Sequence, residues 1–309
     1  MREQLIAGIK SILRPIVGKR VLLERMKYRG QTILEPRAGN DLLAKSLHQP
    51  GAAGKIGDSE LRGLRNYLRR TGGSGPCESW SHSAVMLHRN AGVYPSDPAI
   101  FTRFCTEYFE ALTQLTILAV WFRPGEASVQ KRYGRAATLV SLTSLEPYYH
   151  ERPWSAELAG KRVVVISPFA RTIERQYPQR KRIWAAKPDV LPEFSLRTIR
   201  CPLSAALSNP EYPDWFAALD GMRGQMEAEK FDIAIIGAGA WSVPLAVHAR
   251  KLGGWGIHLG GPTQILFGIR GGRWDTNPGI IPYFNDAWTR PMTDEKPTTF
   301  RKIENGCYW

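Results

Sequence analysis

Phe231-Asp232-Ile233-Ala234-Ile235-Ile236-Gly237-Ala238-Gly239 is a largely apolar run that stops in a glycine turn. A helical segment follows to Lys251, and residues 255–259 form a second apolar run that stops at Gly260-Gly261. Apolar strand, glycine turn, helix and apolar strand make a parallel βαβ unit, because strands covered on both faces lose the alternation of half-exposed ones. The pattern recurs upstream. Val163-Val164-Val165-Ile166 ends in Ser167-Pro168-Phe169, and residues 138–142 are a further strand candidate. Residues 116–122 read as a strand entered from a helix over 99–113, where Phe101, Phe104, Cys105, Tyr108, Phe109 and Leu112 recur at helical spacing. Ala52-Ala53-Gly54-Lys55-Ile56-Gly57 opens the series and runs into Asp58-Ser59-Glu60-Leu61, with Leu64 and Leu68 continuing a helix. The order predicts an α/β, Rossmann-like fold: a mainly parallel sheet with helices on both faces.

The 309 residues, 43% apolar and 23% charged, suffice for a large domain with its own core. Three regions are expected: residues 1–50 as a basic N-terminal helical segment and connector, 51–275 as the α/β domain, and 276–309 as an irregular tail packed on it. The four cysteines lie far apart with no CxxC, which argues against a disulfide framework or zinc finger. No apolar stretch approaches the ~20 residues of a membrane span, and no signal-peptide pattern opens the chain. The expected location is therefore cytoplasmic. The net charge of +14 favours anionic partners. Nucleic acid is set aside for want of a binding motif or basic-aromatic run. Eight Lys/Arg against two acids fall in residues 1–30, where Leu5, Ile6, Ile9, Leu13, Ile16 and Val17 recur about one turn apart. This basic amphipathic helix reads either as packing on its own domain or a second subunit, or as a peripheral contact with the inner face of a membrane. The oligomeric state is left open.

Ligands of open α/β sheets bind at the carboxyl ends of the strands. Four loops are expected there: Gly57-Asp58-Ser59-Glu60, Ser167-Pro168-Phe169, Gly237-Ala238-Gly239 and Gly260-Gly261. Gly237-x-Gly239 partly matches a dinucleotide fingerprint, but Ser242 replaces the third glycine and His258 stands where an acid should hold a ribose. A diphosphate suits this loop better than NAD or FAD, and an unliganded tight turn suits it equally. Asp58-x-Glu60 offers two hard oxygen ligands for Mg²⁺ or Mn²⁺; ordinary capping of the following helix explains the same residues, and locally is preferred. Arg270 and Arg273 are candidate diphosphate grips, with Arg273 alternatively clamped to Asp275 and Arg270 the freer of the two. Of six scattered histidines only His258 falls at a strand end, as an acid/base or ligand contact or as a core residue. No GxSxG nucleophile elbow appears and no Cys has a nearby activating His, so hydrolase chemistry of the triad type has no support.

Taken together, Gly54 to Leu61, Leu145-Glu146-Pro147-Tyr148, Gly160 to Phe169, Phe231 to Ala240, His258 to Gly271 and the ending Glu304 to Trp309 resemble the GT-D type glycosyltransferase family, in particular its uncharacterised bacterial members. The resemblance covers residues 50–309. It implies a metal-dependent glycosyltransferase that moves sugar from a nucleoside-diphosphate sugar, UDP-linked by expectation, to a glycan, protein or lipid-linked acceptor in cell-surface glycan or glycoprotein synthesis. Asp58 and Glu60 match the family's DxE motif and would hold Mn²⁺ or Mg²⁺, which reverses the local preference for capping. Gly57, Ser167, Gly237, Ala238, Gly239, Gly260, Gly261, Gln264, Arg270 and Arg273 would bind the nucleotide sugar, with His258 beside Asp58 and Glu60 in the catalytic set. Ser167 replaces a common His, Trp241-Ser242 a common Tyr-Gly, and Pro262 a common Ala. The alternative is a non-catalytic nucleotide- or glycan-binding protein on the same fold.

Overall fold

The computed structural model describes residues 20–71, 80–303 and 305–309. Of the amphipathic helix expected in residues 1–30, positions 1–19 lie outside the described residues and 20–26 are helical; most of the expected loop over 71–76 also lies outside the described residues.

Eight strands form one sheet in which every pairing is parallel. They are β1 Ile33–Leu34, β2 Gly51–Lys55, β3 Ile117–Val120, β4 Thr138–Ser141, β5 Arg162–Ser167, β6 Ser195–Arg200, β7 Ile233–Ile236 and β8 Trp255–His258. Their spatial order is β1-β4-β3-β2-β8-β7-β5-β6. The four strands before residue 142 thus lie on one side, the four after 161 on the other, and they meet where Gly51, Ala52 and Ala53 of β2 pair with Trp255, Gly256 and Ile257 of β8.

The apolar runs divide by the period-2 geometry of strands. Val164, Ile166, Ala234, Ile236, Leu118 and Val120 face a core with Phe101, Phe104, Tyr108, Trp215 and Trp241. Their neighbours Val163, Val165, Ile233, Ile235, Ile117 and Ala119 face a second core with Tyr148, Trp154, Trp184 and Phe267. Each large side chain buried this way contributes about 1.5–3 kcal/mol.

Helices α1 Pro36–Ser46, α2 Asp58–Thr71, α3 Ser81–Ala91, α4 Pro98–Thr113, α5 Glu126–Tyr133, α6 Ala170–Gln176, α7 Arg180–Ile183, α8 Trp215–Ala228, α9 Ser242–Lys251 and α10 Pro262–Leu266 accompany the sheet, with short 3₁₀ turns between them. Helix α4 starts where Asp97 accepts from the N–H groups of Ala99 and Ile100 at 2.7 and 3.1 Å, with Pro98 as its first residue. Helix α9 lies directly on β8 because residue 256 is glycine: a Cβ there would sit 2.1 Å from the Ala246 carbonyl oxygen.

Residues 31–50 are more than a connector. They contain edge strand β1, paired to β4, and helix α1, whose Asn40 binds the Arg152 carbonyl and the Trp154 N–H at 2.8 Å each. Residues 276–309 run in 3₁₀ turns across the domain and are pinned by Glu295. This fully buried carboxylate accepts from the backbone N–H groups of Arg171 and Thr172 and from the Thr172 hydroxyl, while the Glu295 carbonyl receives Trp309 Nε1 at 2.9 Å. No helix among the described residues is long and apolar enough to cross a membrane.

Candidate functional site

A cleft of about 490 Å³ opens where the carboxyl ends of β2 and β8 meet, the position expected for a ligand of an open parallel sheet. Gly57, Asp58 and Glu60 enter it from the β2 end, Ser167 from β5, Gly237, Ala238 and Gly239 from β7, and His258, Gly260, Gly261, Gln264 and Arg273 from β8 and beyond. Of the residues anticipated from the sequence, Arg270 stands outside.

The two arginines exchange the roles expected of them. Arg270 pairs with Asp275 at 3.1 Å and lies over the Phe284 ring, and Arg290 shares the same carboxylate. Arg273 lines the cleft over the Tyr308 ring, its backbone N–H held by the Cys307 carbonyl at 2.8 Å. The chain turns between them at Gly271, where a Cβ would meet the Tyr308 carbonyl at 2.8 Å, so this close passage of the C-terminal residues decides which arginine faces inward.

Asp58 opens α2, and both of its oxygens are engaged: Oδ1 by Arg123 Nε and Nη2 at 2.7 and 2.5 Å, Oδ2 by Arg62 Nη2 at 2.7 Å. The cap position falls to Gly57, whose carbonyl receives the Leu61 N–H at 2.8 Å. Glu60 is 7% exposed and curls back so far that a Cβ on Gly57 would lie 2.1 Å from its Oε2. Burial pushes its carboxyl up to about 7, reinforced by the Asp58 charge and opposed by its own backbone N–H and by Lys55.

Below the pair lies a buried floor. Lys55 ends β2 and is partly exposed to the cleft. Burial lowers its pKa and Arg273 lowers it further, against Glu146 and Glu60. Glu146 accepts from the Tyr148 hydroxyl at 2.9 Å, and burial raises its pKa. His258 is 5% exposed, and burial beside the Lys55 charge holds its pKa down to about 3, so its ring is neutral at physiological pH. Its Nδ1 has no hydrogen-bond partner among the described residues, and the same is true of Thr263 Oγ1, Gln264 Oε1 and Trp274 Nε1, all on residues lining the cleft.

Arg123 is positioned by a turn at the end of β3. Glu126, fully buried at the start of α5, accepts from the Trp121 N–H at 3.2 Å and the Arg123 N–H at 3.2 Å. Phe122 between them has a φ of 59°. Trp121 donates through Nε1 to the Ile56 carbonyl at 3.1 Å and carries the Arg123 guanidinium 4.8 Å from its ring centre. Lys55, Arg123, Glu126 and Glu146 escaped notice in the sequence reading. Lys55 and Glu146 belong to quoted motifs without an assigned role, while Arg123 and Glu126 have no local signal.

Among the described residues no group of three or more His, Cys, Asp or Glu side chains is arranged to hold a metal ion. Asp58 and Glu60 do not build an all-protein cage. A divalent cation at this pair would have to share its shell with substrate phosphates and compete with Arg62 and Arg123 for the Asp58 oxygens.

No protein-family model matches the chain, and no curated protein matches it. Among solved structures it is similar to a selenomethionine-substituted structure of domain of unknown function 1792, at 12% identity over 78% of this chain and 81% of that one, with a TM-score of 0.45.

Proposed function

We propose that the protein is a metal-dependent glycosyltransferase whose cleft takes a nucleoside-diphosphate sugar. The observation that carries this reading is the convergence of Asp58 and Glu60 with the glycine loops after β7 and β8 on one strand-end cleft of a size suited to a small ligand. The resemblance of the chain's motifs, Gly54 to Leu61 foremost, to those of GT-D type glycosyltransferases supports it. Asp58 and Glu60 would hold Mn²⁺ or Mg²⁺, which when bound supplies Lewis-acid neutralisation of the diphosphate leaving group. Glycines at 237, 239, 260 and 261 let a diphosphate approach the backbone, and Arg273 stands in the place first given to Arg270. His258, neutral and buried, serves as a hydrogen-bonding group toward the ligand and is too weak a base to accept a proton at neutral pH.

Release of UDP from a panel of UDP-sugars in the presence of Mn²⁺ tests the reading. The Asp58→Ala, Glu60→Ala double variant is expected to lose release by at least about a hundredfold; full activity in that variant would overturn the assigned roles. A second reading, ligand binding without turnover, is favoured by the two guanidiniums on Asp58. It predicts thermal stabilisation by UDP that EDTA leaves unchanged. The basic segment 1–30 is proposed to meet an acidic membrane surface, supported by the exposed Leu22, Leu23 and Met26 next to Arg20, Arg25 and Lys27.

A further inference from the structure

Lys55 is a costly residue to leave where it is. It sits at the end of a central strand, enclosed enough for burial to lower its pKa, and among the described residues no ion pair or hydrogen bond holds its ammonium. Glu60 and Glu146 act on it only through space. Asp58 is occupied by Arg62 and Arg123, and Glu146 by Tyr148, so the nearby carboxylates are drawn to other partners. An isosteric apolar side chain would stabilise the fold more than an ammonium without a counter-charge.

The surroundings indicate what answers this charge. A Cβ on Gly260 would lie 3.4 Å from Lys55 Cε and 3.6 Å from Nζ, so the backbone of the loop after β8 runs alongside the ammonium with no side chain between. The next peptide N–H, that of Gly261, has no acceptor among the described residues. Beyond it, a Cβ on Gly261 would come 3.5 Å from Trp274 Cζ2, 3.6 Å from Arg273 Nη1 and 3.4 Å from Tyr308 Cε1, so the glycine keeps a notch open between those groups. The Lys55 ammonium and the spare Gly261 N–H face a side-chain-free notch with the Arg273 guanidinium at its rim, a cluster of donors that suits phosphate oxygens.

We propose that Lys55 is the diphosphate-binding cation of the cleft, donating from Nζ to phosphate oxygens lodged against Gly260 and Gly261 whether or not a metal is present. The proposal takes the source of the diphosphate, a nucleotide, from the glycosyltransferase reading, but its anion chemistry stands independently. Diphosphate binding supplies the counter-charge that the chain withholds.

The test uses the full chain in EDTA with inorganic pyrophosphate and UDP as separate probes, read by calorimetry and thermal shift. The wild type is expected to bind both. Lys55→Met is expected to weaken both by roughly ten- to hundredfold, the range for loss of a charge-assisted hydrogen bond, with an unfolding midpoint at or above that of the wild type. Lys55→Arg retains part of the affinity. Gly261→Ala, at a residue whose φ of −52° suits alanine, folds normally and binds both probes more weakly. Equal binding by Lys55→Met and wild type, or no binding of either probe by the wild type, overturns the proposal. Sugar transfer undiminished in Lys55→Met defeats the proposal and spares the enzymatic reading. Binding that depends on Lys55 without transfer from any donor does the reverse.

Discussion

Replacing Glu126 by glutamine tests whether a buried carboxyl under the β3 turn is held near neutrality. Burial raises its pKa from 4.5 to about 7, although the N–H groups of Trp121, Phe122 and Arg123 oppose the shift. The folded state therefore binds this proton more tightly than the unfolded chain. The stability associated with it is complete below pH 4.5 and is lost as pH rises through about 7. At about 1.4 kcal/mol for each pKa unit, the loss between pH 5 and pH 8 amounts to about 2 to 3 kcal/mol. Glutamine fills the same space and does not titrate. Measured by urea unfolding at both pH values, the difference between Glu126→Gln and wild type should move by that amount in favour of the variant as pH increases. Glu126→Ala leaves the same backbone N–H groups without an acceptor, and should cost about 2 to 4 kcal/mol at pH 5. A Gln-to-wild-type difference that stays constant from pH 5 to pH 8 would refute the reasoning, because the turn would then be holding an ordinary carboxylate.

Two further outcomes follow from packing. Gly256→Ala drives a methyl group into the backbone of Ala246; it should lower the unfolding free energy by about 3 kcal/mol or more, and a loss below about 1 kcal/mol would show that α9 can lift off β8. Removing residues 1–30 should lower the unfolding midpoint, because Tyr28 is 3% exposed in the core and Glu24 accepts from the Gly125 N–H at 3.4 Å. A midpoint unchanged by that truncation would place the boundary of the folded domain after residue 30.

The central strands were legible because both their faces are covered, which makes β5, β7 and β8 continuous apolar runs. The two edge strands lack that signature. In β6, Ser195, Arg197 and Arg200 are exposed on a strand with one neighbour, so polar residues interrupt its pattern. Strand β1 is two residues long and depends on β4 for its existence. The same distinction governs the site. Asp58 and Glu60 could be placed from their own neighbourhood, since a strand end and a helix start are local features. The Arg123 that engages Asp58 lies 65 residues away, and only the pairing of β2 with β3 brings the two together. The choice between Arg270 and Arg273 depended on the C-terminal residues passing Gly271, a contact that no spacing within 268–275 encodes.

The seam between β2 and β8 also governs the order of folding. It joins segments about two hundred residues apart, Gly51 to Ala53 with Trp255 to Ile257, and closing so long a loop is slow because its entropy is lost before its contacts form. Each half of the sheet can assemble from nearer neighbours, β2 with β3 and β4, β5 with β6 and β7. The cleft belongs to neither half. It needs β8 docked on β2 and also takes Arg273, Tyr308 and Trp309 from beyond β8, so a chain cut short before residue 255 carries Asp58 and Glu60 without the cleft around them.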